Sequence, residues 1–319
     1  MKDINTILEL IESGIEEKPR LNSLSKKLGS FTQQKIEHLF KSSQNYMKKM
    51  IKDNQRTLFY KHVTQNLCKN KKVLEIGTGV GLLSYLILKA QPKSLISCDG
   101  NSQNILLAQK FLQQNNVDNN YKLLNKSSYD LDIPDDLDAD IDIVIHELFA
   151  SNGFGESFLQ TLKNAKRFLN KGGRIVPGIF QLFYLPTCQP NLHKSSFDNI
   201  RNILPELDVS TWEDSPYMNK FTPFKCYLDK PQLVFQIDLN SNFLLSDNKI
   251  FELPPKCTGV MIYFNAKEGE NTLTTLREGG PNHYFCRSFG EGIYQQFSKK
   301  SSKVRFSYNR ENFSIDELD

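Results

Sequence analysis

The chain has 319 residues, of which 39% are apolar and 24% are charged, and its net charge is +4. This composition excludes a disordered chain and is typical of a globular protein, and the length is sufficient for two domains. No apolar run approaches 18 residues and the N-terminus lacks a secretory pattern, so we expect a cytoplasmic protein that does not contact a membrane. The scattered basic residues argue against nucleic acid as a partner. The six widely spaced cysteines argue against a disulfide framework or a metal site.

Apolar residues at helical spacing dominate the N-terminal segment, residues 1–60. This spacing predicts helices, and the pattern of residues 47–67 predicts one long helix that leads into the next domain.

Predicted strands and helices alternate after residue 72. Short apolar runs predict strands at 73–76, 94–98, 121–124 and 141–145, and helical spacing predicts helices at 82–90, 104–114 and 157–170. Lys171-Gly172-Gly173 is typical of a helix end. Because the connections are short, we expect a Rossmann-like α/β domain with a parallel sheet over residues 61–178.

The remaining residues, 179–319, lose the helical pattern. Strand-like runs occur at 179–185, 233–239, 260–264 and 304–308, whereas only 195–204 has helical spacing. This pattern predicts a second, mostly β domain that is barrel-like.

The first predicted strand ends in a glycine-rich turn, Gly77-Thr78-Gly79-Val80-Gly81, directly before a helix. Glycines there let the backbone approach a ligand closely, and the helix N-terminus offers free N–H groups. A dinucleotide site needs a further glycine where Leu82 stands, and Glu75 would be unfavourable beside an anionic pyrophosphate. The carboxylate of Glu75 is favourable beside the sulfonium and ammonium groups of S-adenosylmethionine.

Asp99 ends the second predicted strand, where a carboxylate can accept both hydroxyls of an adenosine ribose. In the alternative interpretation, the glycines form only a tight turn and Asp99 only caps a helix. A predicted strand precedes both the glycine turn and Asp99. This context favours an S-adenosylmethionine site over the alternative interpretation and over a nicotinamide cofactor.

Two glutamates, Glu147 and Glu156, bracket a loop after the fourth predicted strand. The loop can fold back and bring both carboxylates to one pocket. Neighbouring carboxylates stay ionised when a cation lies between them, and a planar guanidinium matches two carboxylates through its fork of donors. The alternative is a solvated surface loop. The position at the carboxyl edge of the predicted sheet favours a guanidinium site.

This loop resembles the double-E loop of the protein arginine methyltransferases, whose two glutamates hold the substrate arginine. Its Glu-Leu-Phe followed by Gly-Glu is more similar to the monomethylating, type III-like branch. The resemblance implies an enzyme that transfers a methyl group from S-adenosylmethionine to the guanidino group of arginine in a protein or peptide. S-adenosylhomocysteine would be the second product.

Three other stretches resemble motifs of this family, in the expected order over residues 46–178. Residues 50–60 resemble the helix M-L-x-D-x-x-R-T-x-x-Y, which implies that Arg56 holds the cofactor carboxylate. The glycine turn resembles the family's motif I. A short polar segment after the third predicted strand occupies the place of the adenine contacts, which implies cofactor contacts from Ser127 and Ser128.

The family also carries a Thr-His-Trp loop, whose histidine pairs with an aspartate of the N-terminal helix. Asn282-His283-Tyr284 is the best candidate here, and the resemblance implies that His283 pairs with Asp53 as a catalytic group. Because the threonine and tryptophan are both replaced, an incidental histidine in a polar loop is the open alternative.

Further alternatives concern the substrate and the assembly. Free arginine or another small guanidino compound would suit the same chemistry. A catalytically silent, cofactor-binding scaffold subunit is disfavoured because both loop glutamates are present. Family members commonly form homodimers through an arm, so residues 189–218 are either that arm or a helix packed on its own barrel.

Overall fold

The structure is a computed structural model. It describes residues 50–51, 53–118, 120–137, 140–150, 153–155, 157–187, 228–278, 284–286, 294–297, 301–310 and 312–318. Residues 1–49 of the predicted N-terminal segment, the predicted arm 189–218 and the predicted helix 195–204 lie outside this range. Within the described residues, no helix is both long and apolar enough to span a membrane. The same residues contain no group of three or more His, Cys, Asp or Glu side chains that could hold a metal ion.

Helix α1, Asn54–Leu67, begins at Asp53, whose carboxylate accepts a hydrogen bond from the backbone N–H of Arg56 at 3.2 Å. Residues 50 and 51 are helical as well. Asp53 has an extended backbone, as a capping residue requires, so the single helix predicted over 47–67 is interrupted at this position. The buried face of α1 follows the 3.6-residue period and consists of Arg56, Phe59, Tyr60, Val63 and Thr64.

A five-stranded sheet follows, in the order β3-β2-β1-β4-β5. Its strands are β1 (Lys72–Ile76), β2 (Ser94–Cys98), β3 (Tyr121–Leu124), β4 (Ile141–His146) and β5 (Leu169–Val176). The pairs β1–β2, β1–β4 and β2–β3 are parallel, and helices α2 (Leu82–Lys89) and α3 (Ser102–Gln114) form the crossovers. The predicted Rossmann-like parallel sheet is therefore confirmed.

The end of this region differs from the prediction. Helix α4 covers only Phe158–Ala165, a short 3-10 turn follows, and the predicted stop at Gly172-Gly173 lies inside strand β5. Two contacts explain the strand. Asn170 donates to Asp142 of β4 at 3.0 Å, and a Cβ on Gly173 would lie 2.7 Å from the carbonyl oxygen of Ile141. Glycine permits this close approach of the two backbones.

The chain divides into two compact units. The first contains the described residues up to His146 together with Arg167–Gly173, and the second contains Glu147–Lys166 and the described residues from Arg174 onward. The core of the first unit lies between its helices and the parallel sheet, where Leu74 and Val144 are fully buried.

The second unit is mostly antiparallel β structure, as predicted. One sheet has the order β10-β9-β6-β7, with β13 also paired to β9, another has the order β15-β14-β8, and β11 pairs with β12. The strands are β6 (Ile179–Thr187), β7 (Gln232–Asp238), β8 (Ser246–Glu252), β9 (Gly259–Glu268), β10 (Asn271–Thr274), β11 (Leu276–Glu278), β12 (Tyr284–Cys286), β13 (Tyr294–Gln296), β14 (Lys303–Asn309) and β15 (Asn312–Leu318). The barrel is not confirmed, because the described strands lie in separate sheets.

Polar contacts stabilise the start of β6 in the second unit. Glu268 accepts from the backbone N–H of Gly178 at 2.9 Å and forms an ion pair with Arg174. Asn240 accepts from the N–H of Ile175 at 2.7 Å and donates to its carbonyl at 3.1 Å. These contacts satisfy backbone groups where the chain passes from β5 into β6.

Candidate functional site

The glycine turn between β1 and α2 is fixed to the end of β2. The backbone N–H groups of Gly77 and Thr78 both donate to the carbonyl of Cys98, at 2.9 and 3.1 Å. Gly79 and Gly81 have φ angles of +53° and +87°, in the left-handed region that favours glycine. The turn is therefore held by the neighbouring strand as well as by its own sequence.

Gly77 is left-handed as well, with a φ of +89°, and of these three glycines Gly79 and Gly81 have different surroundings. A Cβ on Gly81 would lie 2.9 Å from both Cα and Cβ of Ala108 on α3, so this glycine is required for helix packing. A Cβ on Gly79 would have no heavy atom within 4 Å, so its backbone faces open space. Gly79 is therefore the position in the turn where a ligand can approach the backbone.

Asp99, directly after β2, is joined to this turn by a hydrogen bond. Its Oδ2 accepts from the backbone N–H of Gly79 at 2.9 Å and from the side-chain amide of Asn104 at 3.1 Å. Its Oδ1 accepts from the backbone N–H of Asn101 at 2.8 Å. The structure thus brings together the acidic residue and the glycine turn, two features that the sequence analysis identified separately.

Glu75 lies in a buried network of hydroxyl groups beneath the turn. The residue is fully buried and accepts a hydrogen bond from Ser84 of α2. Burial raises the pKa of the Glu75 carboxyl to about 8, although hydrogen bonds from Ser84 and Ser97 act to lower it. Ser97 also forms a 2.6 Å hydrogen bond with the hydroxyl of Thr78 in the turn. Strand β1, the glycine turn, α2 and β2 are therefore linked through one buried network.

The segment after β3 is connected to the same end of the sheet. The side-chain amide of Asn125 donates to the backbone carbonyl of Asp99 at 3.0 Å. Ser127 caps a 3-10 turn and accepts from the N–H of Tyr129 at 3.3 Å, and Ser128 is buried. These contacts place the predicted adenine-contact segment beside Asp99 in the first unit.

Arg56 and Asp53 lie at the start of α1, which packs against α2. Arg56 is buried, with 6% of its surface exposed, whereas Asp53 caps the helix. The hydroxyl of Tyr60 donates to the carbonyl of His146, the last residue of β4, at 2.7 Å. This buried bond ties α1 to the carboxyl end of the sheet.

Glu147 follows β4 directly and opens the second unit. The loop that it begins turns back on itself, because the N–H of Gly153 donates to the carbonyl of Ala150 at 2.8 Å. Phe149 and Phe154 are both buried and anchor the loop in an aromatic core. The ring contacts of this core include Phe149 with Phe180 at 5.9 Å and Phe154 with Phe313 at 5.3 Å.

Two predicted catalytic residues, Glu156 and His283, lie outside the described residues. Neither the predicted glutamate pair nor the predicted contact between Asp53 and His283 is therefore tested by the structure.

Three residues that support the site were missed by the sequence analysis, namely Ser84, Ser97 and Asn104. A signal was available for the two serines. Glu75 stands in an otherwise apolar strand, and a buried carboxyl group requires hydrogen-bonding partners from neighbouring elements. No comparable signal was available for Asn104, because its contact with Asp99 depends on how α3 packs.

Comparisons with known proteins relate this chain to methyltransferases. The sequence model of the methyltransferase small domain matches residues 38–180. Protein arginine N-methyltransferase 9 of Xenopus laevis is 34% identical over 118 residues, which cover 36% of this chain and 14% of that protein. Protein arginine N-methyltransferase 1 of Dictyostelium discoideum is 31% identical over 165 residues, which cover 50% of this chain and 47% of that protein. Over these stretches the chain is similar in sequence to the protein arginine N-methyltransferases.

The solved structures extend the likeness to the fold of both units. A crystal structure of PRMT6 has a TM-score of 0.61 at 15% sequence identity, and the match covers 84% of this chain and 97% of that one. At this identity the structural likeness concerns the fold alone. The chain spans less than half the length of the two curated arginine methyltransferases named above.

The methyltransferase-domain match contains the glycine turn, Asp99 and both loop glutamates, but not His283. The match to the methyltransferase small domain therefore includes the region in which the sequence predicts cofactor and guanidinium binding. The predicted histidine contact belongs to the part of the chain that this match does not reach.

Proposed function

We propose that this chain is an S-adenosylmethionine-dependent methyltransferase that adds a single methyl group to the guanidino group of arginine in a protein or peptide. One observation carries the proposal. The 2.9 Å hydrogen bond from Gly79 to Asp99 joins an acidic residue to a glycine turn at the carboxyl edge of a parallel sheet. Ligands of open α/β sheets bind at this edge.

The residues present fit the methyl donor. The open space at Gly79 admits a nucleoside close to the backbone, and Asp99 offers a carboxylate oxygen to a ribose hydroxyl. The carboxyl group of Glu75 lies buried beneath the turn, and its ionised form would suit the positive charges of the donor. Arg56 would pair with the donor's carboxylate through its fork of donors, and Ser127 and Ser128 would face the adenine.

When bound, S-adenosylmethionine supplies an electrophilic methyl group on a sulfonium. The guanidinium is a poor nucleophile because its lone pairs are delocalised. Glu147 and Glu156 would hold it in line and concentrate its positive charge away from the attacking nitrogen. The methyl group would pass to that nitrogen, with S-adenosylhomocysteine as the leaving group. A carboxylate of the pair, or His283 oriented by Asp53, would accept the proton that the nitrogen then releases.

Two further parts of the proposal come from the sequence alone. Residues 189–218 would form an arm that joins two copies of the chain in a homodimer. The protein would act in the cytoplasm, where its cysteines stay reduced.

The test is intact-mass analysis of substrates incubated with the protein and S-adenosylmethionine. We expect a peptide with a single arginine to gain the mass of one methyl group, and a matched peptide with lysine at that position to gain none. Methylation of free arginine but of neither peptide would move the substrate to the small guanidino class. Binding of the donor without methylation of any substrate would instead indicate a silent, cofactor-binding subunit.

A further inference from the structure

The carboxylate of Asp99 is largely occupied by hydrogen bonds from the protein itself. Its Oδ2 accepts from the backbone of Gly79 and from Nδ2 of Asn104, and its Oδ1 accepts from the backbone of Asn101. A carboxylate has roughly four acceptor positions, two on each oxygen. Three are filled, so about one position remains for a ligand, on Oδ1.

A ribose presents two neighbouring hydroxyl groups, and one acceptor position cannot serve both. A second acceptor must therefore lie close to Asp99. Asn104, in the first turn of α3, meets this requirement because its amide is already hydrogen-bonded to the carboxylate. Since a carboxylate only accepts hydrogen bonds, the amide nitrogen must face Asp99, and the carbonyl oxygen Oδ1 of Asn104 is left as an acceptor.

This oxygen is available in the described part of the chain. Asn104 is partly exposed, and no described residue donates to its Oδ1. The contact with Asp99 also fixes the plane of the amide, so the acceptor is oriented before a ligand arrives. Such pre-orientation reduces the entropy cost of binding.

We propose that Asn104 is a specificity-determining residue that reads the ribose diol together with Asp99. One hydroxyl donates to Oδ1 of Asp99 and the other to Oδ1 of Asn104, whose Nδ2 keeps its bond to Asp99. This inference rests on the proposed function, because it requires a nucleoside ligand at the glycine turn.

The experiment is calorimetric titration with three ligands: S-adenosylhomocysteine, its 2′-deoxy analogue and its 3′-deoxy analogue. One of the two analogues lacks the hydroxyl that binds Asn104. Asn104→Ala should weaken the binding of S-adenosylhomocysteine about tenfold, the size expected for one lost hydrogen bond, and should not further weaken the binding of the analogue that lacks this hydroxyl. The other analogue keeps this hydroxyl, so the variant should bind it about tenfold more weakly than the wild type does.

Asn101→Ala is the matched control. The side chain of Asn101 caps α3 by accepting from the N–H of Gln103 at 3.0 Å, and the alanine variant keeps the backbone bond to Asp99. We expect this variant to bind all three ligands like the wild type. A loss in this control equal to that in Asn104→Ala would overturn the proposal, because it would trace the effect to helix stability.

Two further results would overturn the proposal. In the first, Asn104→Ala weakens the binding of all three ligands equally. In the second, Asn104→Ala leaves the affinity for S-adenosylhomocysteine within twofold of the wild-type value. If the wild-type protein binds S-adenosylhomocysteine in these cases, only the role of Asn104 is lost. If the wild-type protein does not bind S-adenosylhomocysteine, the proposed cofactor fails as well.

Discussion

Ser84 of α2 donates a hydrogen bond to the fully buried carboxyl group of Glu75 on β1. The contact joins the strand before the glycine turn to the helix after it. The pKa of Glu75 is raised from its ordinary value of 4.5 to about 8, mainly by burial and also by the nearby charge of Asp99, whereas hydrogen bonds from Ser84 and Ser97 act to lower it. A carboxyl group in this position binds its proton more tightly in the folded chain than in the unfolded one.

The first prediction concerns the pH dependence of stability without a ligand. Because the pKa of Glu75 is raised in the folded chain, its favourable contribution to the free energy of unfolding is fully present below about pH 4.5. This contribution is lost as the pH rises through about 8. We expect Glu75→Gln to remove this loss, which is on the order of a few kcal/mol in the free energy of unfolding. Urea denaturation at pH 6 and pH 9 measures it.

Glu252→Gln is the control for this prediction, since it makes the same chemical change at a side chain that is 76% exposed. It should keep the wild-type pH dependence. If Glu75→Gln shows the same decline between pH 6 and pH 9 as the wild type, the buried carboxyl group does not carry the effect.

The second prediction compares two glycines of one turn. Gly81→Ala should destabilise the fold by at least about 2 kcal/mol, because the new Cβ meets Ala108 and the backbone is left-handed. Gly79→Ala should cost only about 1 kcal/mol of backbone strain, since its Cβ enters open space. That methyl group would occupy the ligand's approach, so we expect a loss of cofactor affinity of more than about tenfold.

Urea denaturation and calorimetry with S-adenosylhomocysteine separate the two effects. A folded Gly79→Ala variant that binds the ligand as tightly as the wild type would show that the open face of the turn is not the binding surface.

The third prediction concerns Asp99. Asp99→Ala removes the acceptor for the ribose, and we expect a loss of about 2–4 kcal/mol in the binding free energy of S-adenosylhomocysteine. Asp142→Ala is the control, because this carboxylate also accepts hydrogen bonds, from the backbone N–H of Lys72 at 2.8 Å and from Asn170 at 3.0 Å, but lies at the start of β4, away from the proposed site. Calorimetry should show a loss in Asp99→Ala alone, and unchanged affinity in Asp99→Ala would refute the ribose contact.

The fourth prediction separates binding from catalysis. Glu147→Gln should abolish methyl transfer to an arginine peptide, because a neutral amide cannot localise the guanidinium charge. The affinity for S-adenosylhomocysteine should stay within a few-fold of the wild type, since Glu147 is not proposed to contact the cofactor. Glu156→Gln should behave in the same way. Turnover close to the wild-type rate in either variant, measured by intact mass, would contradict the carboxylate pair.

The fifth prediction concerns the bond between α1 and the sheet. Tyr60→Phe leaves the buried carbonyl of His146 without its hydroxyl donor and should reduce stability by about 1–3 kcal/mol. Tyr121→Phe is a matched control on β3, because no described residue is hydrogen-bonded to the hydroxyl of Tyr121. Equal urea midpoints for the two variants would show that the Tyr60 contact contributes little.

The strand-turn-helix unit around the glycine turn was predictable because its signals are local. A short apolar run, three closely spaced glycines and helical spacing all lie within about twenty residues, so no distant partner is needed to interpret them. Asp99 was predictable for the same reason, as the residue that ends the next strand.

Strand β5 was missed because its signal depends on a distant partner. The two glycines at 172 and 173 are typical of a helix end, and the sequence contains no local feature that contradicts this interpretation. The strand forms because β4 provides an edge to pair with, and because Gly173 fits against the backbone of Ile141.

By itself, the sequence determined the parallel α/β sheet, the glycine turn and the acidic residue beside it, because chain periodicity and glycine geometry act over short distances. Only the tertiary structure decided that Glu75 is held by two serines, and that Asn104 completes the hydrogen bonds of Asp99. Those contacts join residues on different elements, and their formation depends on how helices pack on the sheet rather than on local sequence.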